Sequence, residues 1–202
     1  MFWLSMALFG YLYAQREQGQ TLFILIALFV LIAFVSILCH ELGHALTGRK
    51  FSGYRPEISL VAFGGLASFP GASFTKWKHV IMVAAGPFTN FLLAALFFVA
   101  TLFLLPHLDP DGSTLLTKFF SLGLVINIIW GIFNLIPVFP LDGGQIMHSF
   151  IRNQHLAHTI SLVIAILMIA WGISMGAIFM VMLFAFMGYQ NYEIMQAIRP
   201  RR

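Results

Sequence analysis

The stretch TLFILIALFVLIAFVSILCHELGHALTGRK, residues 21–50, decides the architecture. Residues 21–39 are apolar almost without interruption, and about 20 such residues cross the hydrocarbon of a bilayer as a helix. A glutamate and two histidines then follow in one turn, His40, Glu41 and His44, and the basic pair Arg49 and Lys50 closes the run. An ionisable side chain at the centre of a membrane helix costs about 2.5 to 3.5 kcal/mol on insertion scales. Three titratable groups in that position are either a polar helix end reaching water or a functional constellation.

The composition agrees with a membrane setting. Of 202 residues, 60% are hydrophobic and 9% charged, against about 25% charged in an average soluble chain. The fold expected is an all-α polytopic membrane protein, a single integral membrane domain over 1–202. One cysteine, Cys39, excludes an internal disulfide and reads as a small buried hydrophobe. The net charge of +4 does not point to nucleic acid. Arg49, Lys50, Arg55, Lys76 and Lys78 lie between apolar runs, and Arg199, Arg201 and Arg202 end the chain. Basic residues flanking spans mark the cytoplasmic side, and no basic tract is interleaved with aromatics.

Spans are expected at 21–46, 79–105 and 115–135, the last two ended by Pro106 and Pro137. The run 155–191 exceeds one crossing, and the patch WGISMG at 171–176 turns it back as a helical hairpin of about 155–198. One long tilted helix is the alternative. Residues 1–14 are apolar but short; they either span in abbreviated form or lie in the interface. They lack the basic start and small-residue cleavage site of a signal peptide. If the loop 48–78 is cytoplasmic, nine of the eleven basic residues, all but Arg16 and Lys118, fall inside. The C-terminus then lies inside and Asp109 and Asp111 outside. Within that loop, PEISLVAFGGLASFPG carries two strand-like runs about Gly64 and Gly65, a hairpin signal. The small sheet is expected near the cytoplasmic membrane face, with the glycine pair as its connection.

Residues four apart share a helical face, so His40 and His44 can hold one metal ion while Glu41 accepts a proton from water. HExxH is the zinc hydrolase pattern. A catalytic zinc usually takes three protein ligands and keeps one position open. Among the other acids, Glu17 and Glu193 lie near the chain ends, Glu57 in the basic loop, and Asp109 and Asp111 in the expected external loop. Asp142, in NLIPVFPLDGG at 134–144, is on the same expected side as the motif. Two prolines break the helix there, and Gly143 and Gly144 allow close approach. A carboxylate on that turn is the candidate third ligand; a helix N-cap is the alternative. His155 and His158 are expected at the interface, and His148 in the core or beside the site.

HELGH at 40–44, AAGPFTN at 84–90 and NLIPVFPLDGG at 134–144 together resemble the three signatures of the site-2 protease family of intramembrane zinc metalloproteases. The Gly64–Gly65 loop resembles the family's glycine-containing loop, and the likeness extends over about 22–150. It implies a three-helix catalytic core at about 21–150 with peripheral helices. It implies one zinc ion per chain on His40, His44 and Asp142, with Glu41 as the catalytic glutamate. Asn134 matches an asparagine of substrate or transition-state contact, and Asn90 a second asparagine of the core. The chain resembles a minimal member, without a PDZ insert or CBS domain. The implied activity is cleavage of transmembrane segments of membrane-anchored proteins already trimmed by another protease; the compact form of the chain suggests a prokaryotic cell membrane. The hairpin about Gly64 and Gly65 would receive the unwound substrate as an added strand or serve as a packing plug. A metal-binding transporter or sensor built on the same His/His/Asp set is the competing reading, and transporters tend to show paired broken helices.

Overall fold

Helix α2, Gly19–Ser52, is the organising element. At 1.5 Å per residue its 34 residues rise about 51 Å, well beyond a hydrocarbon core of about 30 Å. It stops at Gly53, whose φ of 75° is left-handed and whose N–H bonds the Arg49 carbonyl. Glycine makes that closure without steric cost. Arg49 and Lys50 occupy the last turn, where cations complement the helix dipole. The computed structural model describes residues 2–15, 18–61, 64–109, 111–112 and 114–198. Arg16, Arg199, Arg201 and Arg202, used above in the charge count, lie outside these residues.

The remaining elements are α1 (Phe2–Ala14), β1 (Glu57–Val61), β2 (Gly64–Ser68), α3 (Lys76–Phe103), α4 (Leu105–Leu108), α5 (Leu115–Asn134), α6 (Asp142–Phe150), α7 (Gln154–Ser174) and α8 (Ile178–Ala197). Four of the described helices, α2, α3, α5 and α7, are long and apolar enough to cross a membrane. Large apolar side chains stand exposed along them, Phe23 and Phe103 among the most open, as a lipid solvent permits. This is a multi-pass membrane protein with one small antiparallel sheet. Two compact units share the chain, Met1–Phe74 with Ala85–Gly131, and Thr75–Ala84 with Ile132–Arg202.

In the first unit, α1 packs along α2. Gly10 lets the helices close, since a Cβ there would meet the Ile26 backbone at 3.1 Å. Met6, Ala33 and Ile37 form the buried seam, wrapped by Phe9, Phe29, Phe34 and Trp130. At 13 residues α1 rises about 20 Å, short of a full crossing. Strands β1 and β2 pair in register from Glu57↔Ser68 to Val61↔Gly64. The sheet is the expected one, but the glycine pair is not its connection: Gly64 and Gly65 open β2. Just after α4, the Asp109 carboxylate accepts from Thr114 N at 3.0 Å, Thr114 Oγ1 at 2.6 Å and Thr117 Oγ1 at 2.5 Å. These bonds pin the start of α5.

The second unit contains a helical hairpin. Helices α7 and α8 are joined by Met175, Gly176 and Ala177, with Gly176 at φ 67°. The reversal expected from the sequence is present, a little after the anticipated patch, because Gly172 stays helical and packs against Val181. Val138, Leu141, Ala165, Phe184 and Met187 form this unit's core. Helix α6 is tied at its C-terminal end to the start of α3. His79 Nδ1 pairs with Ser149 Oγ at 3.0 Å, and Lys76 Nζ lies 4.1 Å from the Phe150 ring centre.

Candidate active site

His40 and His44 project from one face of α2, both buried. Their Nε2 atoms are 3.1 Å apart and the rings stand edge to face. Two imidazole nitrogens bound to one tetrahedral zinc at 2.0–2.1 Å lie about 3.3 Å apart. The pair is therefore already spaced as two ligands of a single ion.

A chain of buried amides fixes which nitrogen of His40 can bind metal. Asn127 Nδ2 donates to the Gly123 carbonyl at 2.8 Å and to Ser36 Oγ at 2.9 Å. A carbonyl only accepts, so the Asn127 amide has one orientation and turns Oδ1 toward Asn90. Asn90 Nδ2 donates to that oxygen at 2.9 Å, which leaves Asn90 Oδ1 facing His40 Nδ1 at 2.5 Å. His40 must then carry its proton on Nδ1 and keep the Nε2 lone pair for a metal. Asn90 and Asn127 are fully buried, and Ser36 nearly so. The family resemblance marks Asn90; no motif marks Ser36 or Asn127. Their only signal is that polar side chains inside spans are costly.

Glycines clear the space around these groups. A Cβ on Gly86 would lie 2.3 Å from His44 Nε2 and 2.8 Å from His40 Nε2, so Gly86 leaves open the volume that both nitrogens face. Gly43, inside HELGH, would meet Thr89 Oγ1 at 2.5 Å and the Ala85 carbonyl at 2.6 Å; its missing side chain lets α3 approach α2. Glu41 is buried, and β2 passes directly over it. A Cβ on Gly65 would sit 2.3 Å from Glu41 Cγ, which is why the glycine belongs to the strand rather than to its turn. Within this unit the structure brings together His40, Glu41, His44, Asn90 and Gly65.

In the second unit, Asp142 is buried and is the first residue of α6. Leu141 occupies the N-cap position, so Asp142 does not serve as the cap. Gly143 and Gly144 admit no side chain: a Cβ on the first would meet the Leu135 carbonyl at 2.1 Å, and on the second Phe139 N at 2.4 Å. The first turn of α6 thus rests directly on the backbone of the preceding loop. Asn134 ends α5 and is half-buried. His158 departs from the interfacial placement expected for it. It is buried, with Nδ1 paired to Asn191 Oδ1 at 2.8 Å. Its ring packs edge-on against Phe139 and His148. Desolvation holds the His148 imidazole below the usual histidine range, with the hydrogen bond to Gln154 opposing.

The pattern that defines Peptidase family M50 matches residues 28–115 and 111–173. A zinc metalloprotease of Methanocaldococcus jannaschii is 31% identical over 173 residues, covering 81% of this chain and 48% of its own. A Synechocystis protein, named provisionally as a zinc metalloprotease, is 37% identical over 135 residues, covering 66% of this chain and 34% of its own. The chain thus spans half or less of the length of these relatives. A solved structure, the site-2 protease from Methanocaldococcus jannaschii, superposes with a TM-score of 0.64 at 22% identity, over 100% of this chain and 91% of that one.

Proposed function

Because the chain belongs to Peptidase family M50, we propose that it is an intramembrane zinc metalloprotease that cleaves transmembrane segments of membrane-anchored proteins. The observation that carries this reading is the pair of histidine nitrogens 3.1 Å apart with Glu41 buried one residue along the same membrane helix. Asp142 supplies the third ligand. His40, His44 and Asp142 are all buried and of the types that could hold a metal ion, and two imidazoles with one carboxylate is a catalytic zinc set. One ion per chain satisfies these donors.

Bound zinc supplies Lewis-acid chemistry, lowering the pKa of its water to about 7 and polarising the scissile carbonyl. Glu41 removes a proton from the attacking water and returns it to the leaving amine. The strand above it keeps bulk solvent from the carboxylate. Asn90 holds His40 in the ligating tautomer, and Asn134 donates to the oxyanion of the tetrahedral intermediate. A helical substrate hides its amides in intrahelical bonds and must unwind before attack. The β1–β2 sheet, with Gly64 and Gly65, accepts the unwound stretch as an added strand.

The motif works near the cytoplasmic membrane face, within reach of water; the basic pair Arg49 and Lys50, about one and a half turns beyond His44 on α2, supports this reading. Substrates are single-span proteins first trimmed by another protease. The test uses the purified full chain and its Glu41→Gln variant in detergent. Zinc is measured in both, and each is incubated with a transmembrane substrate. Zinc in both and cleavage by the wild type alone are expected; equal cleavage by Glu41→Gln would overturn the reading.

A further inference from the structure

Phe139 lies three residues before Asp142, and both of its backbone polar groups are held by side chains of the C-terminal hairpin. Its N–H donates to Ser161 Oγ of α7 at 3.2 Å, and its carbonyl accepts from Asn191 Nδ2 of α8 at 2.6 Å. Asn191 is fully buried and spends its whole amide in place. Its second N–H goes to the Met187 carbonyl at 2.8 Å, and its Oδ1 accepts from His158 Nδ1. Two acceptor-only carbonyls fix the amide's orientation, and that orientation fixes the tautomer of His158. Helix α8 lies beyond the residues that the family pattern matches.

Buried amides, hydroxyls and imidazoles are costly unless each finds a partner. A hairpin needing only to pack could be apolar throughout, as its neighbouring core of Ala165, Phe184 and Met187 is. Here the polar groups converge on one peptide. From Phe139 the chain reaches Asp142 through Pro140 and Leu141. Leu141 N bonds the Val138 carbonyl at 2.8 Å, and Gln145 Nε2 bonds the Pro140 carbonyl at 3.1 Å. Gly143 and Gly144 seat α6 on the same loop without a side chain between. Little slack remains between the gripped peptide and the carboxylate.

We infer that Asn191, held by His158 and assisted by Ser161, is a positioning residue for the metal site: it grips the Phe139 peptide and so fixes where the Asp142 carboxylate stands. This rests on the reading of Asp142 as a zinc ligand. The helix that holds it is then a working part of the centre, although it contributes no ligand. Ligands must be held to about 0.5 Å for full affinity, and outer partners of metal ligands typically contribute ten- to a hundredfold in metal affinity.

The experiment measures zinc affinity of the purified full chain by chelator competition, together with the visible spectrum of the cobalt-substituted protein. Asn191→Leu, similar in size and without hydrogen bonds, should bind zinc about ten- to a hundredfold more weakly and shift the cobalt bands, while eluting as a folded species. His158→Leu should weaken zinc in the same direction. His158→Asn, whose amide nitrogen stands near the position of Nδ1, should restore most of that loss. Wild-type zinc affinity and cobalt spectrum in folded Asn191→Leu would overturn the inference. Should that variant not fold, Ser161→Ala takes its place, since it removes one hydroxyl from the same peptide. Weaker zinc binding there supports the grip, and unchanged affinity and spectrum overturn it. Asp142→Asn runs alongside. If it keeps full affinity, the ligand reading has failed and the inference falls with it; if it loses zinc while the Asn191 and Ser161 variants do not, only the positioning role fails.

Discussion

Gly86→Ala separates a metal site from a merely well-packed histidine pair. A β-carbon at that position would stand 2.3 Å from His44 Nε2 and 2.8 Å from His40 Nε2. Ordinary contact distance is about 3.5 Å, so the overlap is roughly 1.2 Å with one ring and 0.7 Å with the other. Both clashing atoms are the far ends of side chains. The rings can rotate away, at the cost typical of an overpacked interior, about 1 to 3 kcal/mol. The same rotation is fatal to coordination. A methyl group would occupy the volume both nitrogens face, where an ion must sit about 2 Å from each. Loss of zinc affinity by at least a hundredfold is expected, about 2.7 kcal/mol or more, with secondary structure and elution unchanged. The assay is chelator competition on the purified variant, paired with circular dichroism. Wild-type zinc affinity in a folded Gly86→Ala protein would refute the geometry on which the metal reading stands.

Three further outcomes follow from other contacts. Gly65→Ala drives a Cβ to 2.3 Å from Glu41 Cγ; zinc should remain bound while cleavage of a transmembrane substrate falls by up to the 10²- to 10⁴-fold typical of general acid–base catalysis. Asn127→Leu frees Asn90 to turn, so zinc affinity measured by the same competition should drop about ten- to a hundredfold. His148 carries a depressed pKa from burial, so the unfolded chain binds its proton more readily than the folded one. Stability should rise as pH climbs toward about 6.5 and level off above it. In a thermal denaturation series, His148→Gln should flatten that rise.

How much of this was legible in the sequence depends on how far apart the cooperating residues lie. The motif helix needed only spacing: His40, Glu41 and His44 declare a shared face, and their apolar surroundings declare its cost. The helical hairpin and the small sheet were also visible, the first from Gly176 and its neighbours, the second from strand-like runs about the glycine pair. A Gly-Gly step between strands signals a turn, whereas the space Gly65 leaves in β2 is filled by Glu41 of α2. The amide chain was hidden for the same reason. Asn90 and Asn127 are 37 residues apart, Ser36 and Asn127 91, Phe139 and Asn191 52. No periodicity links positions at such separations. His158 looked interfacial because its helix begins with polar residues, whereas its partner on α8 draws it into the interior.

If His40, His44 and Asp142 hold one zinc ion beside Glu41, as proposed, anomalous scattering at the zinc edge from crystals of the zinc-loaded full chain will locate it. One peak is expected, with Nε2 of His40 and of His44 at about 2.0–2.1 Å and an Asp142 carboxylate oxygen at about 2.0–2.2 Å. A zinc peak elsewhere, or one on the two histidines with Asp142 turned away, would contradict the account.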